Sequence, residues 1–142
     1  MKTLVKNHLE FCENFIKLNT KELNLKGVEI LVEFLKNKKN ILKFHKKFVE
    51  PYTPKIVLVG INPGRFGSGL TGIPFTDFNS LSKLLDDKTL GNKKEQSATF
   101  IFSIIESIGV ENFFKNIYLT NLSAVGFVDA KNKKIKIIMI FQ

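Results

Sequence analysis

The residues best placed for chemistry lie in one glycine-rich segment, Gly60-Ile-Asn-Pro-Gly-Arg-Phe-Gly-Ser-Gly-Leu-Thr-Gly-Ile-Pro-Phe75. It follows directly on Ile56-Val-Leu-Val59, a short continuous apolar run of β-branched character. Such a run reads as a strand buried on both faces, as in a parallel sheet. Ligands of open α/β sheets bind at the carboxyl ends of the strands, where this segment falls. It is not a Walker loop, which ends in Gly-Lys-Ser/Thr, and Gly64, Gly67 and Gly69 lack the spacing of a dinucleotide fingerprint. The plain alternative is a ligand-free turn with Asn62 as its cap. Sulfur chemistry has little to work with. The single cysteine, Cys12, excludes an intramolecular disulfide and an iron–sulfur cluster, and its helical spacing with Val5, Leu9 and Ile16 points to a core thiol. Both histidines, His8 and His45, precede the segment; His45 stands beside Lys46 and Lys47 and reads as a surface or packing residue. No metal and no cofactor is expected.

These residues need a scaffold, and the apolar periodicity supplies one. Val5, Leu9, Cys12 and Ile16 define a first helical face. Val28, Leu31, Val32 and Leu35 repeat that pattern after a break at Asn24–Gly27, and Ile41, Phe44 and Phe48 predict a third helix ended by Pro51 and Pro54. Asp77 caps a short helix carrying Leu81, Leu84 and Leu85. Ser97 opens a stronger one, with Ile101, Ile104, Ile105 and Ile108 on one face and Gly109 as its stop. Ile117-Tyr-Leu-Thr120 reads as a second buried strand. Strands alternating with helices predict an α/β fold with helices on both faces of a parallel sheet.

At 142 residues the chain reads as a single domain, 1–142, able to bury a core. Its 44% hydrophobic and 25% charged residues are ordinary for a soluble globular protein. Lys2, Lys6 and Glu10 interrupt any secretory apolar stretch, and the longest apolar run, Ile137–Phe141, is too short to span a bilayer. A soluble cytoplasmic monomer with no membrane partner is therefore expected. The net charge of +9 suits a polyanionic partner, nucleic acid above all, although lysine runs such as Lys36–Lys39 and Lys131–Lys134 also suit solvated loops.

The motif Gly60-Ile-Asn-Pro-Gly-Arg-Phe-Gly67, with Thr71-Gly-Ile-Pro-Phe75 after three residues, resembles the first catalytic motif of single-strand-selective monofunctional uracil-DNA glycosylases. That motif reads Gly-Met-Asn-Pro-Gly-Pro-Phe-Gly, then Thr-Gly-Val-Pro-Phe at the same spacing. Glu95-Gln-Ser97, Phe113-Phe114 and Tyr118-Leu-Thr-Asn121-Leu122 resemble the family's following helix and second strand, so the likeness spans about residues 56–127. Arg65, in place of the vertebrate proline, and Phe75-Thr-Asp77 point to a bacterial branch.

The resemblance implies a three-layer α/β/α fold with a parallel sheet, and hydrolysis of the N-glycosidic bond of uracil or a related deaminated base in DNA. Asn62 would orient the attacking water; an amide positions water without deprotonating it strongly. Pro63 would stiffen the turn and Gly64 would let the backbone approach the ligand. Phe66 joins the substrate-binding set. Phe75 would stack on the flipped base, its alternative being a core ring. Asn121 would donate to O4 and accept from N3–H of uracil, a pattern cytosine inverts; its alternative is a strand-end cap. Arg65 and Ser97 are candidate phosphate contacts, with a plain surface role for Arg65 and an N-cap for Ser97 as alternatives.

The family's second motif, a His-Pro-Ser-like loop whose histidine stabilises the leaving base, has no counterpart here, and neither histidine can be carried over. Lys136-Ile-Ile-Met-Ile140 also departs from the family's pattern, and a frameshift in a poly-A tract is the expected cause of an incomplete C-terminal part. Two further readings stay open: a catalytically impaired chain that only binds single-stranded nucleic acid, and a small-molecule nucleotide-binding domain.

Overall fold

A computed structural model describes residues 3–137. Residues 138–140 of the Lys136–Ile140 segment, and 138–141 of the apolar run, lie outside the described residues. The chain opens with helix α1 (Leu4–Leu25), which buries Val5, Leu9 and Cys12 as its periodicity predicts. Gly27 follows at φ +70°, a left-handed conformation that glycine adopts without a Cβ clash and that a helix cannot continue.

Here the structure departs from the expected second helix. Val28–Ile30 is strand β1, with Val28 and Ile30 buried, and Glu33–Asn37 is a 3-10 turn. The spacing of Val28, Leu31, Val32 and Leu35 fits a helix, but Val28 and Ile30 also alternate. Antiparallel pairing of β1 with β4 (Phe127–Asp129), Ile30 opposite Phe127, decides between them. Lys36–Lys39 accordingly spans that turn and the start of α2 (Lys38–Phe48) and is no loop; Lys38 pairs with Glu13.

Strand β2 (Ile56–Gly60) leads into α3 (Ser68–Thr71) and α4 (Phe78–Leu85). Helix α5 (Gln96–Ile108) buries Ala98, Ile101, Phe102 and Ile105 and stops at Gly109, while α6 (Val110–Asn116) runs straight into strand β3 (Ile117–Asn121). Strand β5 (Ile135–Lys136) pairs antiparallel with β4. The fold is thus α/β with two small sheets: the parallel pair β2–β3 and an antiparallel sheet in the order β1-β4-β5. The antiparallel sheet was not legible in the sequence.

The expected burial of β2 on both faces is not found. Ile56, Val57 and Val59 are each more than half exposed, because β3 alone pairs with this strand among the described residues. On β3, Leu119 is buried and the other residues are half-buried. An aromatic cluster fixes the approach to β3. The Phe114 ring lies 4.7 Å from Phe48 and 5.5 Å from Phe44, edge-on to the latter, so α2 grips α6 just before the strand begins.

His8, Cys12 and His45 line the α1–α2 contact. The Cys12 thiol is 3.6 Å from His8 Nε2, and burial pushes it up to about 11, leaving it protonated and unreactive at neutral pH. Burial, assisted by the charge of His8, lowers His45 from 6.5 to about 4. Between those values the folded chain binds fewer protons than the unfolded one, so stability is full above pH 6.5 and declines as pH falls towards 4. Thermal unfolding across this window should show a falling midpoint, and His45→Gln should flatten the slope; an unchanged slope would show that His45 does not control it.

Candidate active site

The β2–β3 register assembles the site. Ile56 pairs with Ile117 and each following residue keeps step, so that Gly60 lies beside Asn121 at the carboxyl end of both strands. Two further bonds hold the chains together past the strands: Leu122 N–H donates to the Gly60 carbonyl at 2.8 Å and Ser123 N–H to the Ile61 carbonyl at 3.0 Å. The turn carrying Asn62 therefore starts from a fixed point next to Asn121.

That turn is braced from below. Pro63 is buried, and its carbonyl presses so closely on Gly126 that a Cβ there would overlap it. Gly69 N–H donates to the Gly64 carbonyl at 2.8 Å. A Cβ added to Gly64, by contrast, would meet nothing within 4 Å, so this glycine faces open space where a ligand could approach. The half-buried Asn62 donates its Nδ2 to the Lys136 carbonyl across a long 3.4 Å. Its Oδ1 has no hydrogen-bond partner among the described residues.

Phe75 is held in a strained conformation. Its φ of +53° is left-handed, unusual for an aromatic residue, and such strain persists only where the surroundings enforce it. The fully buried Thr71 is the enforcer: its hydroxyl donates to the Thr76 carbonyl at 2.6 Å and accepts from Ile73 N–H at 3.2 Å. Asn37 Nδ2 in turn donates to the Thr71 carbonyl at 2.8 Å. On the far side, buried Asp77 caps α4 as expected, accepting from Ser80 N–H and Ser80 Oγ–H, both at 2.7 Å. Its other oxygen accepts from Glu95 N–H at 2.8 Å, tying the loop to the start of α5.

Asn121 and Phe75 converge. A Cβ on Gly60 would overlap Asn121 Oδ1 and lie 2.9 Å from Phe75 Cζ. The amide and the ring, more than 40 residues apart in sequence, thus share one small space above Gly60. Asn121 also lines a cavity that extends past Pro63 and Pro74 to His8 and His45.

The candidate phosphate contacts are already engaged. Arg65 lies 4.2 Å over the exposed Phe66 ring and donates Nη1–H to the Lys133 carbonyl at 2.8 Å. Ser97 is not the N-cap of α5: Glu95 is, its carboxylate accepting from Ala98 N–H at 2.9 Å. The Ser97 hydroxyl donates to that same carboxylate at 2.6 Å, so meeting a phosphate would require this bond to open. Sequence reasoning missed Gly60, Thr71 and Gly126, whose roles depend on distant neighbours. Among the described residues no cluster of His, Cys, Asp and Glu could hold a metal ion, and no helix is long and apolar enough to cross a membrane.

The candidate residues thus stand at the carboxyl ends of two parallel strands in an α/β domain. Residues 46–138 match the uracil DNA glycosylase superfamily, and the chain belongs to that superfamily. It is similar to the crystal structure of wild-type Pedobacter heparinus SMUG2, with 34% identity, a TM-score of 0.60 and 78% of this chain covered. The chain spans about half the length of that protein, 50% of which is covered. No curated protein matches it.

Replacing Asp77 with Ala removes a helix cap and strands the buried Ser80 hydroxyl and Glu95 N–H. We expect a loss of about 2 kcal/mol in urea unfolding. A change below about 0.5 kcal/mol would place the anchor of the Phe75 loop elsewhere.

Proposed function

We propose that this chain is a monofunctional DNA glycosylase domain that releases uracil, or a related deaminated base, from DNA. The observation that carries the reading is the convergence of Asn121 and Phe75 over Gly60, beside a turn that leaves Asn62 Oδ1 free. Bond cleavage builds positive charge on the sugar and negative charge on the base. Asn62 Oδ1 holds a water for the anomeric carbon, and the rigid turn fixes where that water sits. Phe75 presents a ring to the flipped base, and the Asn121 amide reads its edge, donating to O4 and accepting from N3–H. Gly64 leaves room for the nucleotide to approach. Phe66, exposed and stacked under Arg65, offers a second aromatic surface at the rim, and the Arg65 N–H groups not used on Lys133 are the donors for a phosphate. The chemistry calls for no metal and no cofactor.

A binding-only role, contacting single-stranded DNA through charge and stacking, is the second reading. It is favoured by the placement of both histidines on α1 and α2 and by the lack of an imidazole in the turn that carries Asn62. Product analysis separates the two. On a uracil-containing single strand, the glycosylase reading predicts free uracil and an abasic site with the strand intact, and Asn62→Ala should slow release about 100- to 1,000-fold. Salt-sensitive binding with no abasic product would establish the second reading, and unchanged release by Asn62→Ala would remove Asn62 from the mechanism.

A further inference from the structure

We propose that Gly60 is a positioning residue for base recognition: the missing side chain at this position sets the spacing between the Asn121 amide and the Phe75 ring. The inference rests on the reading of those two groups as base contacts.

Gly60 is not present for backbone freedom. Its φ is not positive, unlike those of Gly27, Gly72, Gly91 and Gly109, so any residue could adopt its backbone conformation. It lies in regular β structure, in register with Asn121, where a side chain ordinarily strengthens the strand. What it supplies is space. Directly paired residues of a parallel ladder point to the same face, so a side chain at 60 would rise beside that of Asn121. Its first carbon would overlap Asn121 Oδ1 and crowd Phe75 Cζ at 2.9 Å and Cε2 at 3.3 Å.

The two neighbours do not yield equally. Phe75 is locked by its left-handed backbone and by the hydrogen bonds of buried Thr71 to Thr76 and Ile73. Asn121 is half-buried, and its side chain makes no hydrogen bond among the described residues, so it can rotate. A methyl group at 60 therefore displaces the reading amide first and leaves the turn in place.

The test uses Gly60→Ala, Asn121→Ala and the double variant in the full chain. Two readouts are taken: uracil release from a single-stranded oligonucleotide, and thermal unfolding. Gly60→Ala should lower release about 100-fold, the scale of a displacement near 1 Å. The double variant should release uracil no more slowly than Asn121→Ala alone, and part of the fall in midpoint caused by Gly60→Ala should be recovered once the amide is gone. Multiplying rate losses together with additive midpoint shifts would overturn the inference. If Asn121→Ala releases uracil normally, or the unaltered chain releases none, the base-reading assignment fails and the recognition role of Gly60 fails with it. The unfolding comparison still reports separately on the competition for space. Should Gly60→Ala not fold, a folded double variant supports the inference and an unfolded one contradicts it.

Discussion

The in-step parallel pairing of β2 with β3 is the constraint on which the site depends. Each strand ends in a candidate site residue or the turn that bears one, and a slip of one residue would carry Asn121 to the opposite face from Gly60. The register is held from both ends. Upstream, the Phe44–Phe48–Phe114 cluster fixes α6, which enters β3 without a loop. Downstream, the bonds from Leu122 and Ser123 to Gly60 and Ile61 continue the ladder into the turn. Many of the 14 phenylalanines act on this scaffold and not at the site.

Around that register the chain divides rigid from open parts. The Phe75 loop is rigid, with a left-handed residue held between Thr71 and the doubly used carboxylate of Asp77. The bottom of the Asn62 turn is rigid as well, packed on Gly126 and Gly69 with no room for a side chain. The upper side is open: a Cβ on Gly64 would meet nothing within 4 Å, and Asn62 Oδ1 is unengaged by the described residues.

Local signals carried the long amphipathic helices, both parallel strands and the cap at Asp77, because each is written in a single stretch of sequence. Val28–Leu35 misled because four apolar residues fit a helical period while the deciding partner, Phe127, lies about 100 residues away. The short strands β4 and β5 have too few residues to show a period. At the candidate site, a motif resemblance singled out Asn62, Phe75 and Asn121, and the structure brings the last two together over Gly60. Gly60 was not, since a glycine in a strand signals weakness until the side chains it accommodates are known. Ser97 as a cap was a near miss: two residues earlier, Glu95 performs that role.

Everything proposed for the site turns on whether the Asn121 amide and the Phe75 ring, packed together over Gly60, receive the base. The most direct measurement is an NMR titration of the labelled chain, in its Asn62→Ala form, with single strands containing uracil or cytosine at one position. The Asn121 side-chain amide and the Phe75 ring resonances should shift with the uracil strand and much less with the cytosine strand. Equal shifts with both strands, or shifts confined to Phe66 and the lysine-rich surface, would contradict it.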